Sequence, residues 1–120
     1  MSTKLTPPVS AYIRATNDHN AAAFIACFTE SAVVNDAGRE FRGIAAIKVW
    51  SDQEIIGSKV TLEVLKVTDR DGEVAVTTKC DGNFDKTGLP NPLILNHHIM
   101  VEGDKISELT IRPAGEKSGT

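Results

Sequence analysis

The sequence predicts an α+β fold, with helices in the first half of the chain and a mainly antiparallel sheet in the second. Apolar residues recur at helical spacing before residue 28 and again from 44 to 55. From Val60, apolar and polar residues alternate as in a strand, and glycine-containing turns then separate further strand-like segments. The length of 120 residues suits a single domain, and we expect its small polar tail to fray from about residue 113.

Three helices are predicted before residue 58. Thr6-Pro7-Pro8 is a start signal, because the N–H that proline lacks would be unpaired at the first helical position anyway. Asn20 can cap a second helix, predicted over Ala21–Phe28. Gly43 opens the third helix and Gly57-Ser58 ends it.

A short hairpin and then longer strands complete the predicted sheet. The hairpin pairs Ala32–Asn35 with Arg39–Arg42 around Asp36-Ala37-Gly38, where glycine supplies backbone freedom. A second hairpin turn is predicted at Asp69–Gly72. Two prolines and a glycine between residues 84 and 92 predict a loop. The longer strands are predicted over Val60–Thr68, Glu73–Asn83, Leu93–Glu102 and Lys105–Ile111.

Composition and charge exclude several classes of partner. The formal net charge is -3 and the basic residues are scattered, so no nucleic-acid partner is expected. The longest apolar stretch, near Leu93–Leu95, is too short to cross a bilayer, and Met1–Leu5 lacks the apolar core of a secretory signal. Cys27 lies in an apolar helical segment, where a reduced thiol behaves as a small hydrophobic group. We therefore expect a cytoplasmic protein without a structural disulfide.

The strand predicted over Leu93–Glu102 is apolar on both of its faces. A sheet with one wet face should alternate apolar and polar residues, so both faces of this strand are expected to be covered. The helices can cover one face, and a second copy of the chain is the simplest cover for the other, which predicts a homodimer through the outer sheet face. One face carries Ile94, Asn96, His98 and Met100, and the other carries Leu95, His97, Ile99 and Val101.

One long segment resembles a known family. The segment from Ala11 to Asp36, AYIRATNDHNAAAFIACFTESAVVND, is followed by a turn and then FRGIAAIKVW. This pattern resembles the nuclear transport factor 2-like superfamily, in particular its ketosteroid isomerases and SnoaL-like cyclases. The resemblance implies a cone-shaped fold in which three N-terminal helices pack on a strongly curved sheet around a pocket for a small apolar molecule.

The resemblance also implies a set of site residues. Asp36 matches the position of the isomerase base, and Tyr12 matches the tyrosine that donates a hydrogen bond to the enolate. His98 falls where the isomerases carry a second, acidic donor, so the sequence departs from their pattern there. Phe28 and Trp50 stand where isomerases can carry supporting tyrosines. The residues expected to line the pocket are Phe24, Phe28, Trp50, Phe84, Asn96 and Met100.

Elementary chemistry supports such a site, and it leaves simpler readings open. A carboxylate in an apolar pocket is desolvated, which strengthens it as a base, and a phenol and an imidazole can stabilise an oxyanion. Asp36 can equally shape its turn, Tyr12 can be a core residue, and His98 can be a satisfied polar residue. His97 and His98 point to opposite faces and cannot hold one metal from a single strand, so no metal site is expected. No Gly-rich loop follows a strand and opens a helix, and no other cofactor is expected.

Two functions follow as hypotheses. The first is cofactor-independent proton transfer on a small apolar carbonyl compound, as an isomerase, cyclase or dehydratase, with Asp36 as base and Tyr12 and His98 as donors. The second is a non-catalytic module of the same fold that binds a small ligand or dimerises. A fold of this kind serves many activities, so the site has to decide between them.

Overall fold

The helices of the computed structural model begin where the sequence signals place them. The model describes residues 6–70, 73–84, 87–88 and 92–114. Helix α1 begins with proline at its first turn, and the side chain of Asn20 caps α2 by accepting a hydrogen bond from the Ala23 N–H at 3.0 Å. The helical segments are α1 (Pro7–Asn17), α2 (Ala21–Ala26), α3 (Ile44–Trp50) and a π-helix (Ser51–Ile56) that continues α3.

Six strands form one curved, mostly antiparallel open sheet, as predicted, and the helices pack on one face of it. The strands are β1 (Phe28–Asp36), β2 (Arg39–Arg42), β3 (Thr61–Arg70), β4 (Glu73–Asp81), β5 (Leu93–Glu102) and β6 (Lys105–Pro113). Their order across the sheet is β2-β1-β6-β5-β4-β3. The pair β1–β6 is parallel and the other pairs are antiparallel, so β6 joins the first hairpin to the rest of the sheet.

The second helix is shorter than predicted. It ends at Ala26, and Phe28 already pairs with Ile106 of β6. The carbonyl of Cys27 accepts a hydrogen bond from the Ile106 N–H at 2.7 Å, so a partner far away in the chain fixes the helix end. An aromatic residue such as Phe28 fits a pleated surface well, and tertiary pairing overrides the local helical pattern here.

The core lies between the helices and the inner face of the sheet. The largest fully buried side chains include Trp50, Tyr12, Phe24 and Ile47 from the helical layer. Strand β4 alternates between buried and more exposed residues, with Val74, Val76, Thr78 and Cys80 buried. No helix among the described residues is long and apolar enough to cross a membrane. The predictions for residues 71–72 of the second hairpin turn, for most of the loop from 85 to 91 and for the tail from 115 concern residues outside the described ones.

Candidate functional site

A cavity of about 500 Å³ opens between α1, the first hairpin, the π-helix and the inner sheet face. Its wall is largely apolar, as is usual for small-molecule sites, and a few polar side chains converge on it. The apolar lining includes Ile55, Val60, Leu62, Leu93, Leu95 and Ile111. The polar lining includes Tyr12, Asp36, Arg39, Glu54 and His97.

One row across the sheet places the two polar ends of the cavity. Ile111 of β6 pairs with Asp36 of β1 on one side and with His97 of β5 on the other, and all three residues line the cavity. Adjacent strands lie about 4.8 Å apart, so the backbones of Asp36 and His97 are separated by about 10 Å across the apolar Ile111. A small molecule lying over Ile111 would contact both ends.

The carboxylate of Asp36 is held by two donors on one oxygen. Oδ2 accepts from the indole Nε1 of Trp50 at 3.0 Å and from Nη2 of Arg39 at 2.9 Å. Oδ1 has no hydrogen-bond partner among the described residues, and the side chain is 23% exposed. The carboxylate is therefore fixed through one oxygen, and the other can accept a proton.

Arg39 links Asp36 to the π-helix. Its Nη1 and Nη2 donate to the two carboxylate oxygens of Glu54 at 2.9 and 2.6 Å. The hydrogen bond to Glu54 raises the pKa of Arg39 above its usual range, and the reciprocal bond from Arg39 lowers the pKa of Glu54. One cation between two carboxylates leaves this rim of the cavity with a net negative charge.

Tyr12 and His97 form the other polar end of the cavity. The Tyr12 hydroxyl lies 2.9 Å from Nδ1 of His97, and Nε2 of His97 lies 3.0 Å from Oγ1 of Thr78. Burial is the main cause that raises the pKa of Tyr12 well above its usual value, and the negative charge of the nearby Asp36 carboxylate raises it further. Burial also lowers the pKa of His97 to about 3, with a smaller contribution from His98. Near neutral pH this end therefore consists of an uncharged phenol and an uncharged imidazole.

The expectation that His98 faces the cavity is wrong. His98 lies on the outer sheet face, where its Nδ1 is 2.9 Å from Oε2 of Glu73 and its side chain is 42% exposed. Asn96 and Met100 share that face: Asn96 accepts a hydrogen bond from the Thr77 hydroxyl at 2.7 Å, and Met100 is exposed. The residues of the two faces of β5 were separated correctly, but the face with His98 was expected to point into the cavity, and the face with His97 does so.

The expected aromatic lining is also corrected in part. Phe84 lines the cavity as predicted. Phe24, Phe28 and Trp50 do not; they lie behind it as a buried layer, with Phe24 5.4 Å from Phe28 and 6.1 Å from Trp50 between ring centroids. Trp50 still serves the site, because its indole donates to Asp36. The cavity is thus walled mainly by aliphatic residues.

Sequence reasoning missed His97, Thr78, Arg39 and Glu54. For His97 a signal existed, since β4 is a clearly alternating strand whose buried Val76 pairs with it. Pairing β4 with β5 in the register that sets His97 opposite Val76 would have predicted that His97 points toward the core. No local signal pairs Arg39 with Glu54, because 15 residues and a helix separate them. Among the described residues, no group of three or more His, Cys, Asp and Glu side chains is arranged to hold a metal ion.

Comparison with solved structures shows the same fold in several proteins. A Sinorhizobium meliloti protein assigned as a polyketide cyclase is 25% identical, with a TM-score of 0.80 over 90% of this chain and 95% of its own. A Catenulispora acidiphila protein with a ketosteroid isomerase-like fold, crystallised with trimethylamine, is 20% identical, with a TM-score of 0.73 over 91% and 86% of the two chains. A computationally designed 17-OHP binder is 15% identical, with a TM-score of 0.71 over 87% and 86%.

Comparison by sequence gives the family. No curated protein matches the chain. Residues 9–109 match the SnoaL-like domain, and this range contains most of α1, the first hairpin, the π-helix and most of β6. The match therefore includes Tyr12, Asp36 and His97. The chain belongs to the SnoaL-like domain family of the nuclear transport factor 2-like superfamily.

Proposed function

We propose that the chain is a cofactor-independent enzyme that moves a proton beside the carbonyl group of a small apolar compound, as an isomerase, cyclase or dehydratase. One observation carries the proposal: a carboxylate with an unoccupied oxygen and an uncharged phenol line the same largely apolar cavity. These are the base and the oxyanion donor that such a reaction needs. The assignment of a similar fold as a polyketide cyclase is consistent with it.

The proposed step begins at Asp36. Oδ1 takes a proton from the carbon beside the carbonyl, the C–H electron pair moves into the new C=C bond, and negative charge develops on the carbonyl oxygen. Tyr12 donates a hydrogen bond to that oxygen, while Trp50 and Arg39 keep the carboxylate in place. Returning the proton to another carbon gives an isomer, and attack of the enolate on a second carbonyl of the same molecule gives a ring.

The test measures proton abstraction without requiring the natural substrate. Exchange of the protons beside the carbonyl of 2-tetralone in D₂O, followed by NMR, reports the first step of every reaction in this class. Asp36→Asn should lower the enzyme-dependent exchange rate by about 10²–10⁴-fold. Asp52→Asn is the matched control, because Asp52 pairs with Lys48 on the helix surface and does not line the cavity. Equal exchange by wild type and Asp36→Asn would refute the assignment.

The ion pair of Asp36 favours a second candidate function, ligand binding without turnover. Because Oδ2 is already engaged by Arg39 and Trp50, the carboxylate also has a sufficient structural role in joining the hairpin to the helices. A pure binding protein would be stabilised by 2-tetralone in a thermal shift assay and would show no exchange above the buffer rate. Exchange that depends on Asp36 excludes this candidate.

We also propose that the outer sheet face forms a homodimer. Support comes from the exposed Met100 and the half-buried Ile94 on that face, beside opposite charges that a second copy could pair. Lys79 pairs with Ile94 in the sheet ladder, and Glu108 pairs with Met100. Two-fold dimers are the commonest homo-oligomers, and they join the same face of both copies.

A further inference from the structure

The imidazole of His97 is enclosed between two hydroxyl groups. Nδ1 lies 2.9 Å from the Tyr12 hydroxyl oxygen and Nε2 lies 3.0 Å from Oγ1 of Thr78. Tyr12, His97 and Thr78 are at most 2% exposed, so the two hydroxyl groups and the imidazole are one another's main hydrogen-bond partners. An uncharged imidazole has one N–H donor and one acceptor nitrogen, so two hydrogen-bond arrangements are available to the three residues.

In the first arrangement Nε2 carries the proton. It donates to Thr78 Oγ1, whose own O–H points at the Leu95 carbonyl across a long contact of 3.5 Å. The Tyr12 O–H then donates to Nδ1, and only its oxygen lone pairs remain for the cavity. A ligand hydroxyl group is complementary to this state, because it can donate to Tyr12.

In the second arrangement Nδ1 carries the proton and donates to the Tyr12 oxygen. The Thr78 O–H turns to donate to Nε2, and the Tyr12 O–H is released toward the cavity that Tyr12 lines. A ligand carbonyl is complementary to this state. Thr78 makes the reversal possible, because a hydroxyl can exchange its donor role for an acceptor role, whereas a carboxylate in its place could only accept.

We infer that His97 positions the Tyr12 hydroxyl in either of two directions, so that this end of the cavity binds a ligand oxygen both as a carbonyl and as a hydroxyl. The inference rests on the ligand pocket of the proposed function, and not on its proton transfer. Between the two states one proton leaves Nε2 and another arrives at Nδ1, with water as the carrier and no change in net charge. The ligand class is therefore a ketone and its corresponding enol or alcohol.

The charged residues of the cavity do not offer this choice. Asp36, Arg39 and Glu54 are tied to one another at the opposite end of the row through Ile111. Each of them has a fixed role, since a carboxylate only accepts and a guanidinium only donates near neutral pH. The His97 end is where a neutral ligand oxygen can be met in either form.

The test determines which nitrogen of His97 is protonated when two matched probes bind. Benzophenone and benzhydrol differ in carrying a carbonyl or a hydroxyl group on the same two-ring frame. The protein is labelled with ¹⁵N-histidine in a His19→Gln, His98→Gln background, which leaves His97 as the single imidazole of the chain. Long-range ¹H–¹⁵N correlation should show Nδ1 protonated with benzophenone and Nε2 protonated with benzhydrol.

The same tautomer with both probes, or failure of both to bind up to their solubility limits, would overturn the inference. Tyr12→Phe is the control: the link between the ligand oxygen and Nδ1 is lost, so the two probes should then give one tautomer. A difference that persists in Tyr12→Phe would also overturn the inference. Benzophenone has no C–H bond beside its carbonyl, so Asp36 cannot take a proton from it. The tautomer measured for His97 is therefore independent of proton transfer, and a negative exchange test would not change it.

Discussion

His97 and His98 are neighbours in one strand, and their surroundings are opposite. His97 is 1% exposed and lies between Tyr12 and Thr78 in the cavity wall. His98 is partly exposed on the outer sheet face and pairs with Glu73. The same side chain is thus held neutral on one face and placed beside a carboxylate on the other. The environment of each histidine is therefore set by the sheet face to which its side chain points, because successive strand residues point to opposite faces.

The largest expected difference between the two histidines is in stability. His97→Leu leaves the hydroxyl groups of Tyr12 and Thr78 without their imidazole partner in a buried site, which should lower the free energy of unfolding by about 2–4 kcal/mol. His98→Leu removes a partly exposed pair with Glu73 and should cost less than about 1 kcal/mol. Urea unfolding of both variants measures the difference, and equal losses would contradict the comparison.

A smaller effect is expected in the pH dependence of stability. The pKa of His97 is lowered to about 3 by burial, whereas an unfolded histidine titrates near 6.5. The unfolded chain therefore takes up this proton first as the pH falls, so the contribution of His97 is complete above about pH 6.5 and is lost progressively toward pH 3. Between pH 7 and 5.5 the wild type should lose about 1 kcal/mol from this group.

The two histidines again provide the variants for that measurement. Urea unfolding at both pH values should show a flatter dependence in His97→Gln than in wild type, while His98→Gln keeps the decline due to His97. An unchanged decline in His97→Gln would assign the pH dependence to other groups.

The smallest expected effect on the cavity comes from the outer face. If that face forms the proposed dimer, Ala75→Arg beside His98 should shift the chain toward monomers, because a large charged side chain would have to be buried in the interface. Ala45→Arg on the exposed surface of α3 is the matched control. Sedimentation velocity measures the shift, and 2-tetralone exchange should remain unchanged. A wild-type monomer, or an undisturbed dimer in Ala75→Arg, would contradict the proposal.

The sequence predicted elements better than it predicted faces. The bounds of β5 and the starts of α1 and β4 were predicted correctly, because prolines and turn glycines are local signals. The end of α2 was missed, since Ile106 supplies the partner that ends it. The inward face of β5 was also missed: with apolar residues on both sides, the strand itself carries no preference, and the choice is made by its neighbours β4 and β6.

The residues of the candidate site also divide into those that local sequence patterns identify and those that only long-range contacts place. Asp36 and Tyr12 were assigned through the family pattern, and the structure places both at the cavity. His97, Thr78 and the Arg39–Glu54 link were not, because each depends on contacts between segments that are distant in the chain. Local patterns therefore identified the two residues proposed to act on the ligand, and long-range packing supplied the groups that hold them.

The central position of β6 has a consequence for the order of assembly. Asp36 and His97 lie on β1 and β5, and β6, the last of these strands in the chain, is the one that joins them. Until residues 105–113 have been synthesised, no strand connects the β1–β2 hairpin with strands β3–β5. The contact between β1 and β6 closes a long loop, which is entropically slow. A nascent chain that stalls before residue 105 would expose the unpaired edges of β1 and β5, and such edges pair readily with strands of other chains.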